Sequence, residues 1–137
     1  MLAADQVLPR ISPVIGVWPS QPEADPLSDF LRSLEQYRSL PESCRVLPSH
    51  GTPFQGLRAR LDELVEHHER RLERTLAACA SPASAAEVQR LLFTRPLDAH
   101  QTGFALGETL AHLNYLVGQD LVARWSGPDG VLLYRSR

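Results

Sequence analysis

The chain has 137 residues, 43% of them apolar and 22% charged, with a net charge of −2. That is enough to bury one ordinary core or two small ones, and it is the composition of a globular protein. The charge excludes an electrostatic case for binding a polyanion, and the 14 basic residues are all Arg.

Cys44 and Cys79 are isolated, with no CxxC spacing. Two such residues make no disulfide framework, which points to a reducing cytoplasm. The start Met-Leu-Ala-Ala lacks the basic and long apolar regions of a signal peptide. No apolar run reaches the roughly 20 residues that span a bilayer. A cytoplasmic protein with no membrane partner is expected.

In chain order, the first feature is a short apolar run, Leu2-Ala3-Ala4, that ends at Asp5. Residues 6–24 then carry Pro9, Pro13, Pro19 and Pro22, which forbid a helix. Ile11, Val14, Ile15, Val17 and Trp18 make this an ordered loop that packs over an apolar surface, and where that surface is missing these side chains are expected to drive self-association. Asp25-Pro26 starts a helix, as an N-cap followed by proline at the first helical position. Leu27, Phe30, Leu31, Leu34 and Tyr37 form its apolar face.

Arg45–Leu47 reads as a short strand that stops at Pro48 and delivers His50 into a turn with Gly51. A His between Ser49 and Gly51 at a strand end is placed for display, as a metal ligand is. From Gly56 to Ala80 the apolar stripe Leu57, Leu61, Leu64, Val65, Leu72 and Leu76 predicts a long helix. Arg58, Asp62, Glu66, Glu69, Arg70 and Glu73 suit its solvent face. His67 and His68 are adjacent, so on a helix their rings diverge by about 100° and cannot share an ion. His67 and Arg71 share a face and read as helix–domain packing, with substrate contact as the lesser alternative.

Ser84 and Glu87 form a capping box that opens a third helix presenting Val88, Leu91 and Leu92. Thr94–Gln101, with His100, reads as a loop. A fourth helix runs from Thr102 to Val117, with Phe104, Leu106, Leu110, Leu113, Leu116 and Val117 inward and Gly118 as its stop. Its outward positions are Glu108, Thr109, His112, Asn114, Tyr115 and Gln119, which makes His112 a surface or interdomain residue. Leu121–Trp125 and Val131–Tyr134 flank a Gly-rich turn and form a hairpin.

The ordered segments Asp5 after Leu-Ala-Ala, Leu47-Pro48-Ser49-His50-Gly51, His67 with Arg71, and Ala111-His112-Leu113-Asn114-Tyr115-Leu116 before Leu121-Val122 resemble the metallo-β-lactamase superfamily. The likeness is to its glyoxalase II and lactamase-β-like branch and covers nearly the whole chain. It implies an α+β, mainly helical fold: a remnant of the αββα metallo-β-lactamase domain (1–55), a long connecting helix (56–80) and a C-terminal winged helix (81–137). It also implies that Asp5 and His50 are metal ligands, since the family's Asp bridges two zinc ions and its late His completes the second site. The family's His-x-His-x-Asp-His motif and middle His have no counterpart here. The resemblance therefore implies the C-terminal fragment of a dizinc hydrolase acting on an ester, thioester or lactam. Its partners would be the missing N-terminal hydrolase domain and a small-molecule substrate, and the fragment alone would be inactive and hold no stoichiometric zinc.

The alternative is a nucleic-acid role, as a winged-helix binder or the tail of a metallo-ribonuclease. A purely structural interaction module is a third reading. The outward positions of the fourth helix include no Arg or Lys. Residues 81–137 balance five Arg against five acids, so nucleic acid is disfavoured.

Overall fold

The computed structural model describes all of residues 1–137. The order of elements is β1 (Leu2–Ala4), α1 (Pro26–Tyr37), β2 (Leu47–Pro48), α2 (Leu57–Ala78), β3 (Ala83–Ser84), α3 (Ala85–Leu92), α4 (Ala99–Gly118), β4 (Val122–Ser126) and β5 (Leu132–Ser136). The fold is α+β and mainly helical, as the resemblance implies. No helix is long and apolar enough to cross a membrane.

The chain divides into two compact units. One comprises Met1–Val14 and Ser28–Glu69, the other Ile15–Leu27 and Arg70–Arg137. In the first, β1 and β2 pair in parallel, Leu2 opposite Leu47 and Ala4 opposite Pro48. Its buried apolar side chains are Ala3, Val7 and Leu8 in and after the first strand, Phe30 and Leu34 of α1, Val46, and Leu57, Leu61 and Leu64 of α2. The α1 face is therefore the expected one, and the helix begins at Pro26 as the Asp-Pro pair requires. The strand near residue 46 lies slightly later than the apolar run implies. Val46 turns away from β1 and exchanges both backbone hydrogen bonds with Phe54.

The second unit is built on a three-stranded antiparallel sheet in the order β3-β5-β4. Arg124 lies opposite Tyr134, and Ala83 of β3 pairs with Tyr134 on the other side. Cys79, Val88, Leu92, Leu113, Leu116, Val122 and Tyr134 form its core, with Leu72 and Leu76 packed against them. Burying side chains of this size contributes about 1.5–3 kcal/mol each before conformational entropy is subtracted.

Several sequence expectations are corrected. The strand β3 is two residues long and ends at the Ser84 cap, too short to leave a periodic signal. Leu91 is 59% exposed while Leu92 is buried. Helix α4 starts at Ala99, three residues earlier than the apolar stripe, because Asp98 is its N-cap. The Asp98 carboxylate accepts from the Gln101 N–H and the Gln101 side chain accepts from the Asp98 N–H. This is the same reciprocal device as Ser84 and Glu87, which the structure contains as expected. His100 therefore sits in a helix, its ring edge-on to Phe104 at 4.7 Å. Helix α4 ends at Gly118, but the left-handed residue that follows is Asp120, with φ 59°.

The middle of α4 departs furthest from expectation. Ala111, His112, Leu113 and Asn114 are all buried. Four successive residues step by about 100° each, so they cover the whole circumference. Thr109, read as outward, is buried too. Its hydroxyl donates to the Ala105 carbonyl at 2.8 Å, and His112 Nδ1 lies 2.8 Å from the Glu108 carbonyl oxygen. Polar side chains that bond back to their own helix can be buried with those polar atoms paired. His112 is thus a core residue rather than a surface one.

Candidate functional site

Two parallel strands that end side by side present whatever follows them on one edge. Asp5 follows β1, and Ser49 and His50 follow β2. Ala4 adopts φ 45°, an uncommon conformation for a residue with a Cβ, at the bend that releases Asp5 from the strand. The Ser49 N–H donates to the Ala4 carbonyl at 2.9 Å, and the Ser49 hydroxyl donates to Asp5 Oδ1. His50 Nε2 lies 3.4 Å from the same carboxylate oxygen, with the His50 and Asp5 side chains 72% and 67% exposed. The two residues singled out in the sequence are neighbours in space, although far apart along the chain.

Gly51 and Pro9 fix this corner. Gly51 has φ 84°, and a Cβ there would lie 2.7 Å from the Pro9 ring. Only glycine fits both the conformation and the approach. Pro9 in turn belongs to a loop pinned from below by Arg60. Arg60 Nε donates to the Leu8 carbonyl at 2.6 Å, Nη2 to the Ile11 carbonyl at 3.0 Å and Nη1 to Glu63 at 2.7 Å. The result is a cleft of about 320 Å³ with His50 in its wall. Sequence reasoning missed Ser49, Pro9 and Arg60. The first stands inside the motif as a ligand's neighbour, and the others reveal themselves only through long-range contacts.

Other candidates fall elsewhere. His68 is buried, with Nε2 3.3 Å from Ser12 Oγ and its ring 5.4 Å from that of Phe30, which gives it a core role. His67 lies edge-on to His68, with ring planes 83° apart. Arg71, read as a partner of His67, pairs with Glu108 at 3.3 Å, and its guanidinium covers the Phe93 ring at 4.5 Å. Burial pushes the Glu108 carboxyl up against the opposing pull of Arg71. Burial also pushes the Cys79 thiol up to about 11 and raises the Tyr134 phenol.

A zinc site needs three or four protein donors. Asp5 and His50 supply the right chemistry, a hard oxygen and a borderline nitrogen. No group of three or more His, Cys, Asp or Glu side chains stands close enough to hold a metal ion. The chain by itself offers an incomplete donor set.

The second unit carries the match to a family model. Residues 72–137 match the family model of the metallo-β-lactamase-like C-terminal domain. The matched segment therefore coincides with nearly all of the stretch from Arg70 to Arg137. Beyond it, the whole chain is similar to a β-lactamase domain protein from Burkholderia ambifaria, at 46% identity over 99% of this chain with a TM-score of 0.95. It is also similar to a metallo-β-lactamase family protein from Thermus thermophilus, at 39% identity over 99% of the chain with a TM-score of 0.82. The chain spans 41% of the length of each of these two proteins. No curated protein matches the sequence.

Proposed function

We propose that this chain is the C-terminal portion of a metal-dependent metallo-β-lactamase-superfamily hydrolase. The reading places it in the glyoxalase II and lactamase-β-like branch, with an ester, thioester or lactam as substrate. The observation that carries it is the Asp5–His50 pair, 3.4 Å apart at the ends of two adjacent parallel strands. The similarity to a longer β-lactamase domain protein and a longer metallo-β-lactamase family protein supports it.

In this reading residues 1–55 are the remnant of the hydrolase domain, 56–80 the connecting helix, and 81–137 a winged helix. The order β3, α3, α4 and the β4–β5 hairpin supports the last assignment. Asp5 and His50 would hold zinc together with donors from a preceding hydrolase domain. Two zinc ions, when bound, supply Lewis-acid polarisation of the substrate carbonyl. Ser49 orients the Asp5 carboxylate through its hydroxyl, and the Pro9–Gly51 contact sets the approach of His50. The chain alone, with two donors, is expected to be catalytically silent and to bind zinc weakly. A nucleic-acid role is not favoured, because Thr109, His112 and Asn114 of α4 are buried and cannot enter a groove.

Cobalt(II) titration followed by NMR tests the ligand assignment. Paramagnetic broadening should begin at Asp5 and His50 and vanish in His50→Ala. Broadening centred on His67 or His100 instead would refute it. The parent is tested by the coding sequence upstream of Met1. An in-frame His-x-His-x-Asp-His supports the hydrolase, and a stop codon close upstream counts against it.

A further inference from the structure

The second unit contains a cleft of about 540 Å³ between the 17–23 loop, α4 and the hairpin. Small-molecule sites fall in the range of roughly 300–1,000 Å³. Its walls are fixed. The Val17 N–H donates to the Gly107 carbonyl at 3.0 Å, and Asn114 Nδ2 donates to the carbonyls of Pro22 and Ala24 at 3.0 and 2.9 Å. Gly107 permits this closeness, since a Cβ there would come within 3.2 Å of the Val17 oxygen. A cleft held open by such ties is formed before any ligand arrives.

Its lining is apolar, with Trp18, Leu106, Leu110 and Leu132 prominent, except for one polar group of three. Arg124 and Tyr134 face each other across the β4–β5 pair. The Arg124 guanidinium is also paired with the Glu23 carboxylate. The Arg124 side chain is 23% exposed and that of Glu23 66% exposed. A pair at a solvent rim is weakly held and open to exchange. Glu23 therefore marks where a carboxylate sits against this cation, next to a wall with no polar partner of its own. A planar guanidinium suits a second carboxylate equally well.

We propose that this cleft binds an aliphatic monocarboxylate, its carboxylate displacing Glu23 from Arg124 and its hydrocarbon lying along Leu106, Leu110 and Leu132. Both halves of the ligand are required. A small anion gains nothing from the wall, and an alcohol leaves the Arg124–Glu23 pair in place. None of the lining residues belongs to the Asp5–His50 site.

Decanoate, below its micellar range, is the probe. The 137-residue chain carrying Trp125→Phe leaves Trp18 as the single indole reporter, since Trp125 is not in the lining. Decanoate should shift Trp18 emission saturably, with decanol at least about tenfold weaker. Arg124→Gln should weaken decanoate about tenfold or more, as loss of a charge-assisted hydrogen bond does. Glu23→Gln should tighten it about two- to fivefold by removing the competitor. Gly103→Leu extends a side chain from a position with no atom within 4 Å of a Cβ and should block the cleft. Circular dichroism checks that each variant folds. If Arg124→Gln does not fold, Glu23→Gln and Gly103→Leu decide the matter. Decanol matching decanoate, or an unchanged midpoint in both of those variants, overturns the proposal.

Discussion

The sheet of the first unit is two short parallel strands, with Leu2 86% exposed and Leu47 also at the surface. That of the second is three antiparallel strands, with Val122 and Tyr134 buried beneath it. Antiparallel sheets tolerate one wet face, whereas parallel strands are ordinarily covered on both sides. Two strands alone are marginal in water. The second unit thus encloses a core of its own, while the first keeps its chemically interesting residues on an open edge. Stability in the one and display in the other should respond differently to the same kinds of substitution.

The largest effect is expected from Leu113→Ala, at the centre of the second core, which should cost about 2–5 kcal/mol in urea denaturation. A loss below about 1 kcal/mol would mean that this unit is not the self-contained one. Alkali should act next. The Cys79 thiol ionises near 9.0 when unfolded and near 11 when folded. Its contribution is therefore complete below pH 9 and is lost as pH climbs from 9 towards 11. Up to about 2–3 kcal/mol is at stake, since each pKa unit corresponds to roughly 1.4 kcal/mol. Stability measured against pH should flatten over that window in Cys79→Ala. The two capping boxes come third. Ser84→Ala and Asp98→Ala should each cost about 1 kcal/mol by thermal unfolding.

That third pair also shows what was legible. Both caps follow one physical rule, but Ser84 precedes an apolar stripe directly and Asp98 does not. His100, Gln101, Thr102 and Gly103 form a polar first turn that hides the helix from any test of periodicity. The burial of α4 was hidden for a related reason. Thr109 and His112 look like surface residues, yet they satisfy their polar atoms on carbonyls one turn back. The loop of residues 6–24 was read as anchored by Ile11, Val14, Ile15, Val17 and Trp18. Val7, Leu8 and Val17 are buried in it, whereas Ile11, Val14 and Trp18 are substantially exposed. The Asp5–His50 neighbourhood was legible only through family likeness, because no local rule pairs residues so far apart in the chain. Ser49 and Arg60, which hold it, needed the folded chain.

The smallest effect sharpens the comparison from the other side. His50→Ala should change stability by no more than about 0.5 kcal/mol, as surface substitutions do. Differential scanning calorimetry would detect a larger loss, and such a loss would make His50 part of the fold and not of a display edge.

Pro48 has one more effect. Leu47 and Ser49 send their N–H groups to β1, so residues 46 and 48 look the opposite way. Val46 spends its donor on Phe54, and proline has none to offer. The outer edge of β2 is consequently short of donors. Beside β2 there is a gap in the ladder where a further strand would find no donor. Pro48 therefore acts as a stop on that side of the sheet.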